Sequence, residues 1–563
     1  MEKTSNKKIK IIGILVVAAV IAIFALIFII NRITPTKEKM SGYKYFGVEE
    51  GTQDVLVIVD GEKSEDYGIK ADGRVYISQK YVADNINVRF YYDNESNCVL
   101  YTDKSNIYSF SADKSGYTDY KGTTYSTDYP VMRVIDGEVY LDWEYVASYT
   151  NCEYEYGDEP SRVNITLSHD ERECVVSKKK VSIRYRAGIK SPVLETVDKD
   201  VRLIYVDEVY DWTRVTTPSG MTGYLKTSDV TQKSVYVPDN TYEDNYEYIS
   251  YDGKINMAWY QVTGTAGNAY VNDNLPSGSG VNVISPTWYS IKDASGSMDC
   301  YATSQFVNEM HSKGIKVWAL VDDFNKDIDF KELYSSAATR ANMINRLISD
   351  AARYGFDGIN LDFENVRNAY SQDYLQFIRE LSIKCKENSL VLSIDNYKPE
   401  AYNSCYNIKE QSAFADYIII MAYDEHYAGS AEAGSVASLP FVKEAIEDTV
   451  AVVPSERVIV GIPFFTRIWT INGQNVTSRA VSMQTALDTL NSNKATAIWN
   501  DDAGQYVGSF ENSSGTVKIW FEEEKSIEEK MKLVKEYNTA GTSAWKLGLE
   551  RYSVWSVINK YLE

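Results

Sequence analysis

Polar side chains spaced two residues apart within an apolar strand constrain this chain more than any other feature. The segment reads Asp357-Gly358-Ile359-Asn360-Leu361-Asp362-Phe363-Glu364. Side chains alternate along a strand, so Asn360, Asp362 and Glu364 point one way while Ile359, Leu361 and Phe363 point the other. The apolar face asks for a covering layer of helices. The polar face is costly to bury unless it meets a ligand, because an unpaired buried carboxylate shifts its pKa or destabilises the fold. Two carboxylates on one face at this spacing lie roughly 6–7 Å apart. Each then disfavours ionisation of the other, which keeps one carboxyl protonated as a general acid near neutral pH. A bare Asp-x-Glu at a solvated strand end is common, so the surrounding sequence has to decide.

At 563 residues the chain is too long for one ordinary domain. A hydrophobic content of 44% with 24% charged residues is that of folded protein. The net charge of −21 argues against a nucleic-acid partner. Six cysteines are scattered without a Cys-x-x-Cys pair, and only His169, His311 and His426 are histidines. Neither zinc spacing nor a histidine-rich site can be read from them, so no metal and no cofactor is expected.

Residues 11–30 form an apolar run without a charged side chain, preceded by Lys3, Lys7, Lys8 and Lys10. As a helix such a run spans about 30 Å, the thickness of a bilayer core. The basic flank places the N-terminus in the cytoplasm. A cleavable signal peptide is the rival reading, but the run continues into Asn31-Arg32-Ile33-Thr34-Pro35 without an Ala-x-Ala site. An uncleaved single-pass anchor is expected, with a cytoplasmic tail at 1–10, a linker at 31–50 and everything beyond the anchor facing the cell wall.

Two accessory regions follow. Val75-Tyr-Ile-Ser-Gln-Lys-Tyr-Val-Ala and Val139-Tyr-Leu-Asp-Trp-Glu-Tyr-Val-Ala open two copies of an internal repeat within residues 51–169. Each copy reads as a short helix plus hairpin, which implies a small α+β domain with matching halves. This region resembles the bacterial domain named for the N-terminus of copper amine oxidases; with no histidine in 51–168, copper is not implied. Residues 174–232 carry many short strands and resemble a bacterial Src homology 3-like barrel, with Trp212 and Gly223-Tyr224 at the positions such barrels use. Wall attachment and plain spacing are both open for these regions. A polar linker is expected over 233–253.

From residue 254 to 563, strand-like runs alternate with helical patterns. Eight such strands fit a (β/α)8 barrel. Their C-terminal ends, where that fold places its catalytic groups, read Trp288, Asp322-Asp323, Asp362/Glu364, Asp395-Asn396, Tyr423-Asp424, Phe464-Phe465 and Trp545. Carboxylates ringed by aromatics suit a sugar cleft. The expected architecture is therefore multidomain: a transmembrane helix, an α+β repeat domain, a small β-barrel, and a C-terminal TIM barrel with a small α+β insertion at about 467–524.

These strand ends carry a resemblance. Asp357, Asn360, Asp362 and Glu364 stand where glycoside hydrolase family 18 has Asp-x-x-Asp-x-Asp-x-Glu, Met421-Ala-Tyr423-Asp424 matches its Met-x-Tyr-Asp, and Trp545 matches its eighth-strand tryptophan. The runs Met421-Ala-Tyr-Asp-Glu-His426 and Lys518-Ile-Trp-Phe-Glu-Glu-Glu524 resemble the spore-cortex-lytic and peptidoglycan N-acetylglucosaminidase branch. The chain departs from the family at Asn360, whose amide cannot share a proton with Asp362 as the usual aspartate can. The resemblance implies Glu364 as acid and base, Asp362 and Tyr423 on the substrate's acetamido group, and Asn360, Asp357, Asp424, Trp545, Trp288 and Asn396 as substrate-binding. It implies a retaining, substrate-assisted glycosidase acting on peptidoglycan. A chitinase or other endo-N-acetylglucosaminidase acting on chitin-like glycan, and a non-catalytic glycan-binding barrel, remain as alternatives.

Overall fold

The computed structural model describes residues 2–52, 54–243 and 246–563, without the side chains of residues 2–6. Position 1 of the expected cytoplasmic tail, position 53 of the repeat region and positions 244–245 of the expected linker lie outside the described residues. The chain divides into two compact units.

The first unit holds Met1–Val88, Ser111–Gly116 and Ser126–Glu243. It opens with a helix over Glu2–Ile33, of which Lys7–Ile33 is long and apolar enough to cross a membrane and buries none of its surface. The repeat folds around a two-fold relation between two strands. Arg74–Ser78 and Glu138–Asp142 run antiparallel with Tyr76 opposite Asp142, Ile77 opposite Leu141 and Ser78 opposite Tyr140. Each strand feeds a short helix, Gln79–Asn85 or Trp143–Ser148, whose first turn is capped by the Ser78 or Asp142 side chain. Seven further strands between Arg172 and Tyr236 form one antiparallel sheet over a core that includes Ile183, Leu203, Val215 and Leu225.

The second unit holds the barrel. Eight parallel strands close on themselves: β1 (Ile255–Tyr260), β2 (Val283–Ile291), β3 (Lys316–Asp322), β4 (Gly358–Asp362), β5 (Val391–Tyr397), β6 (Tyr417–Met421), β7 (Val458–Pro463) and β8 (Gly541–Trp545). Pairing of β1 with both β2 and β8 completes the ring. Met257, Trp259, Trp318, Leu320, Ile419 and Ile459 fill its interior. Among the outer helices are α1 (Ala337–Tyr354), α2 (Ser371–Glu387), α3 (Ile408–Phe414) and α4 (Glu524–Glu536). Between β7 and α4 lies a five-stranded antiparallel sheet with one helix, Met483–Ser492.

The same unit takes in Arg89–Phe110 and Tyr117–Tyr125. The hairpin of the first repeat copy, Phe90–Asp93 and Cys98–Thr102, thus belongs with the barrel. The matching hairpin of the second copy, Glu153–Gly157 and Arg162–Thr166, pairs instead with Leu56–Val59 in the first unit.

Candidate active site

Strand β4 delivers its polar face into the barrel. Asn360 is fully buried and locked: its Oδ1 accepts from Trp259 Nε1 at 3.0 Å and from Ser285 Oγ at 2.9 Å, and its Nδ2 donates to Asp395 Oδ1 at 2.7 Å. Asp362 stands one pleat further on, also buried, and its Oδ1 accepts no hydrogen bond from any described residue. Burial first, then the charges of Asp395 and Glu364, push its carboxyl well above the usual range. Glu364 follows the strand end. Its Oε2 accepts from the Tyr397 hydroxyl at 2.5 Å, and burial raises its pKa against that hydrogen bond. An upward shift is the direction that a proton donor needs.

These groups open on a cleft of about 470 Å³ that Asp362, Glu364, Tyr397, Tyr423, Asp424 and Trp545 line together. The Tyr423 and Trp545 rings both stand edge-on to Trp259, at 6.4 and 5.9 Å between centroids. Asp424 turns the chain after β6 in the left-handed region, at φ 60°, a conformation that aspartate tolerates better than most residues. Lys326 and Arg367 line the same cleft, both exposed, and neither is ion-paired among the described residues. No group of metal-ligating side chains occurs among the described residues.

Three expected site residues lie elsewhere. Asp357 stands at the opposite, entry end of β4, where its carboxylate takes Val317 N at 2.9 Å, Lys316 Nζ at 2.9 Å and His311 Nε2 at 2.7 Å. It ties two strands together and cannot reach a sugar in the cleft. Trp288 is fully buried in the layer between strands and helices, against Phe306 and Phe356, with its Nε1 on Asn268. A register shift in β2 between Thr287 and Tyr289 breaks the alternation there. Asn396 faces outward to Gln411 of α3. Strand β5 instead sends Asp395 and Tyr397 inward, toward Asn360 and Glu364. Asp395 stood among the strand-end carboxylates without an assigned role, and Tyr397 was not named at all. Counting by twos from the β4 face across to β5 would have found them.

Asp323, just after β3, also stood among the strand-end carboxylates without an assigned role. It is fully buried and accepts the backbone N–H of Glu364 at 2.7 Å and of Asn365 at 3.0 Å, so it holds the segment from which the acid projects. Burial pushes its pKa up to about 6 despite those bonds.

Comparison with known proteins agrees with this geometry. Residues 254–550 match the profile of glycosyl hydrolases family 18. The uncharacterized glycosylase YvbX of Bacillus subtilis is 30% identical over 264 residues, covering 44% of this chain and 75% of that protein. The cortical fragment-lytic enzyme of Bacillus subtilis is 25% identical over 236 residues, covering 40% of this chain. The chain spans about half the length of that enzyme, 54%. In fold, the Bacillus cereus spore cortex-lytic enzyme SleL superimposes with a TM-score of 0.50 at 19% identity, over 58% of this chain and 78% of that one. With an eight-stranded parallel barrel, a buried acid at the end of its fourth strand and a profile match across more than half its length, the chain belongs to family 18 of the glycosyl hydrolases.

Proposed function

We propose that this chain is a membrane-anchored, extracellular N-acetylglucosaminidase that cleaves peptidoglycan with retention of configuration. The observation that carries the reaction is Glu364, half-buried in an open cleft, hydrogen-bonded by Tyr397 and standing beside a second carboxyl, Asp362, that lines the same cleft. Glu364 gives its proton to the leaving oxygen. The substrate's own acetamido oxygen attacks the anomeric carbon, as in family 18 generally. Asp362 takes the acetamido N–H and balances the positive charge of the oxazolinium, while the Tyr423 hydroxyl donates to the acetamido oxygen. Glu364, now a carboxylate, removes a proton from water, and that water opens the ring on the same face. Trp545 floors the reacting sugar.

The choice of peptidoglycan over chitin rests on charge. The protein carries 79 acidic against 58 basic residues, yet Lys326 and Arg367 line the cleft with no carboxylate paired to either among the described residues. Chitin is neutral; in peptidoglycan each N-acetylglucosamine alternates with a muramic acid whose lactyl group ends in a carboxylate or a peptide. Two cations in the cleft suit that partner. The relatives named as cortex-lytic support the same substrate class. The apolar helix over Lys7–Ile33, with lysines before it, supports an anchor with the barrel outside. The repeat region and the seven-stranded sheet, read as a copper amine oxidase N-terminal-like domain and a Src homology 3-like domain, would then lie on the wall side.

The test is product analysis on defined glycans. Wild-type enzyme is expected to release fragments with N-acetylglucosamine at the new reducing end, formed as the β-anomer, from cell wall faster than from chitin. Glu364→Gln is expected to lose hydrolysis by roughly 10²–10⁴-fold while still binding glycan. Wild-type turnover in that variant, or cleavage of fully de-N-acetylated glycan, would refute the assignment.

A further inference from the structure

The mechanism above leaves one buried carboxyl without a task. Asp395 is 2% exposed, lies on β5 beside β4, and does not line the cleft. The two strands pair in register through Asn360 with Ser393 and Leu361 with Ile394. The next step on each strand is an aspartate, Asp362 and Asp395, both facing inward, at a strand separation of about 5 Å. Each has one buried oxygen that accepts nothing from the described residues, Oδ1 of Asp362 and Oδ2 of Asp395. The other oxygen of Asp395 is occupied by Asn360 Nδ2. Asn360 cannot turn over, because its own oxygen already takes Trp259 and Ser285.

We propose that Asp362 and Asp395 hold one proton between them, and that it passes to Asp395 as Asp362 becomes the counter-charge to the reacting sugar. The proton stays within the pair, so the charge of the pair is −1 throughout. It rests on Asp362 before reaction and on Asp395 once the oxazolinium forms. The sharing rests on the strand register and the two unpartnered oxygens; the movement during catalysis rests on the N-acetylglucosaminidase reading.

One proton placed between the two carboxyls removes both unpartnered oxygens at once. Two negative charges could not persist there. The groups that face the pair are Glu364 on the same side of β4, Asp322 and Asp323 at the end of β3, Tyr397 on β5, and Tyr423 and Asp424 after β6; all are acids or neutral. Neither carboxyl is ion-paired among the described residues; Arg467 pairs with Asp424 instead, at 3.9 Å. Burial raises both groups, Asp395 and Glu364 add to it at Asp362, and Glu364 adds to it at Asp395 against hydrogen bonds from Asn360 and Trp259, in line with a retained proton. Asp395 touches no substrate in this scheme and is a positioning residue acting through Asp362.

Infrared spectroscopy of the full chain in detergent tests the sharing without substrate. In the Glu364→Gln background, a protonated-carboxyl C=O band present near neutral pH is expected to vanish on adding either Asp362→Asn or Asp395→Asn. A spectrum unchanged by both would overturn the pair. For the movement, Asp395→Asn keeps the shape and is expected to lower kcat at least tenfold, with KM changed less than about threefold. Asp395→Ala removes the O–H donor from Asp362, so the acidic limb of its rate profile is expected to move to higher pH. Wild-type kcat in Asp395→Asn and an unmoved limb in Asp395→Ala would refute the proton movement. Loss of the infrared band in an enzyme inactive on every N-acetylated glycan would uphold the pair and reject the N-acetylglucosaminidase reading instead.

Discussion

At the scale of single residues, the position of Glu364 depends on an aspartate that does not line the cleft. Asp323 accepts two successive backbone N–H groups, from Glu364 and Asn365, and a third bond from Asn365 Nδ2 at 3.3 Å. An asparagine there offers one acceptor in place of two oxygens, so Asp323→Asn is expected to loosen the strand exit and lower kcat, with KM little changed. The pH dependence has a definite sign. The folded pKa of about 6 lies above the unfolded carboxylate value near 4, so the folded state holds the proton more tightly. Stability from this group is present at low pH and falls as pH rises from about 4 through about 6. The melting temperature of wild type relative to Asp323→Asn should therefore decline between about pH 4 and pH 7; a difference that stays constant would remove the buried ionisation. The face carrying Asn360, Asp362 and Glu364 was legible because a strand alternates strictly. Asp357 stands an odd number of residues from that face, and parity alone marks it as an outsider. Trp288 was unreadable for a different cause, since the shifted register in β2 is set by pairing with β3 and leaves no mark in the local pattern.

Among elements, two sequence runs that looked like separate signatures prove to be halves of one buried assembly. Glu522, at the end of the insertion, accepts from Lys530 Nζ of α4 at 3.0 Å and from Gln505 Nε2 at 2.6 Å. Gln505 in turn accepts from Ser435, whose carbonyl takes His426 N at 3.2 Å. The chain of bonds thus runs from α4 through the insertion to the loop after β6 that carries Tyr423 and Asp424. The Lys530 and Glu522 side chains are both wholly buried. Removing one partner strands a charge in the core, so Lys530→Met is expected to cost about 3–5 kcal/mol. The double change Glu522→Leu with Lys530→Met should regain much of that loss, because no orphan charge remains. Thermal denaturation of the three proteins decides it: equal melting points for the single and double variants would show the pair is not coupled. The family resemblance picked out both runs, but the bond between Ser435 and Gln505 joins positions too far apart in sequence for any local pattern to announce.

For the molecule as a whole, the reading of the repeat as one stretch and the barrel as another meets a specific obstacle. A repeated sequence reports shared local structure, while the surface each copy packs on is a tertiary matter. In the second unit Arg340 of α1, fully buried, donates to Asp93 at 3.0 Å and to Glu380 of α2 at 3.0 Å. Glu410 of α3 is held from two sides, by Arg89 at 3.1 Å and by Arg379 of α2 at 2.8 Å. Tyr91 adds a hydroxyl to Asp373 at 2.6 Å. A chain beginning at residue 254 would contain every barrel strand and every catalytic group, yet would lose Arg89, Tyr91 and Asp93. Arg340 would then keep one of its two carboxylates and Glu410 one of its two guanidiniums, each beside apolar surface newly open to water. Broken buried pairs of this kind cost about 3–5 kcal/mol each. A chain of residues 34–563 loses only the apolar helix and keeps both clusters. It is expected to fold, stay soluble and hydrolyse glycan, whereas 254–563 should melt at least about 10 °C lower or fail to accumulate as soluble protein. Calorimetry and activity of the two purified chains side by side check this, and a 254–563 barrel that matches the longer chain in melting point would show that the hairpins near residues 90–125 are dispensable to the catalytic unit.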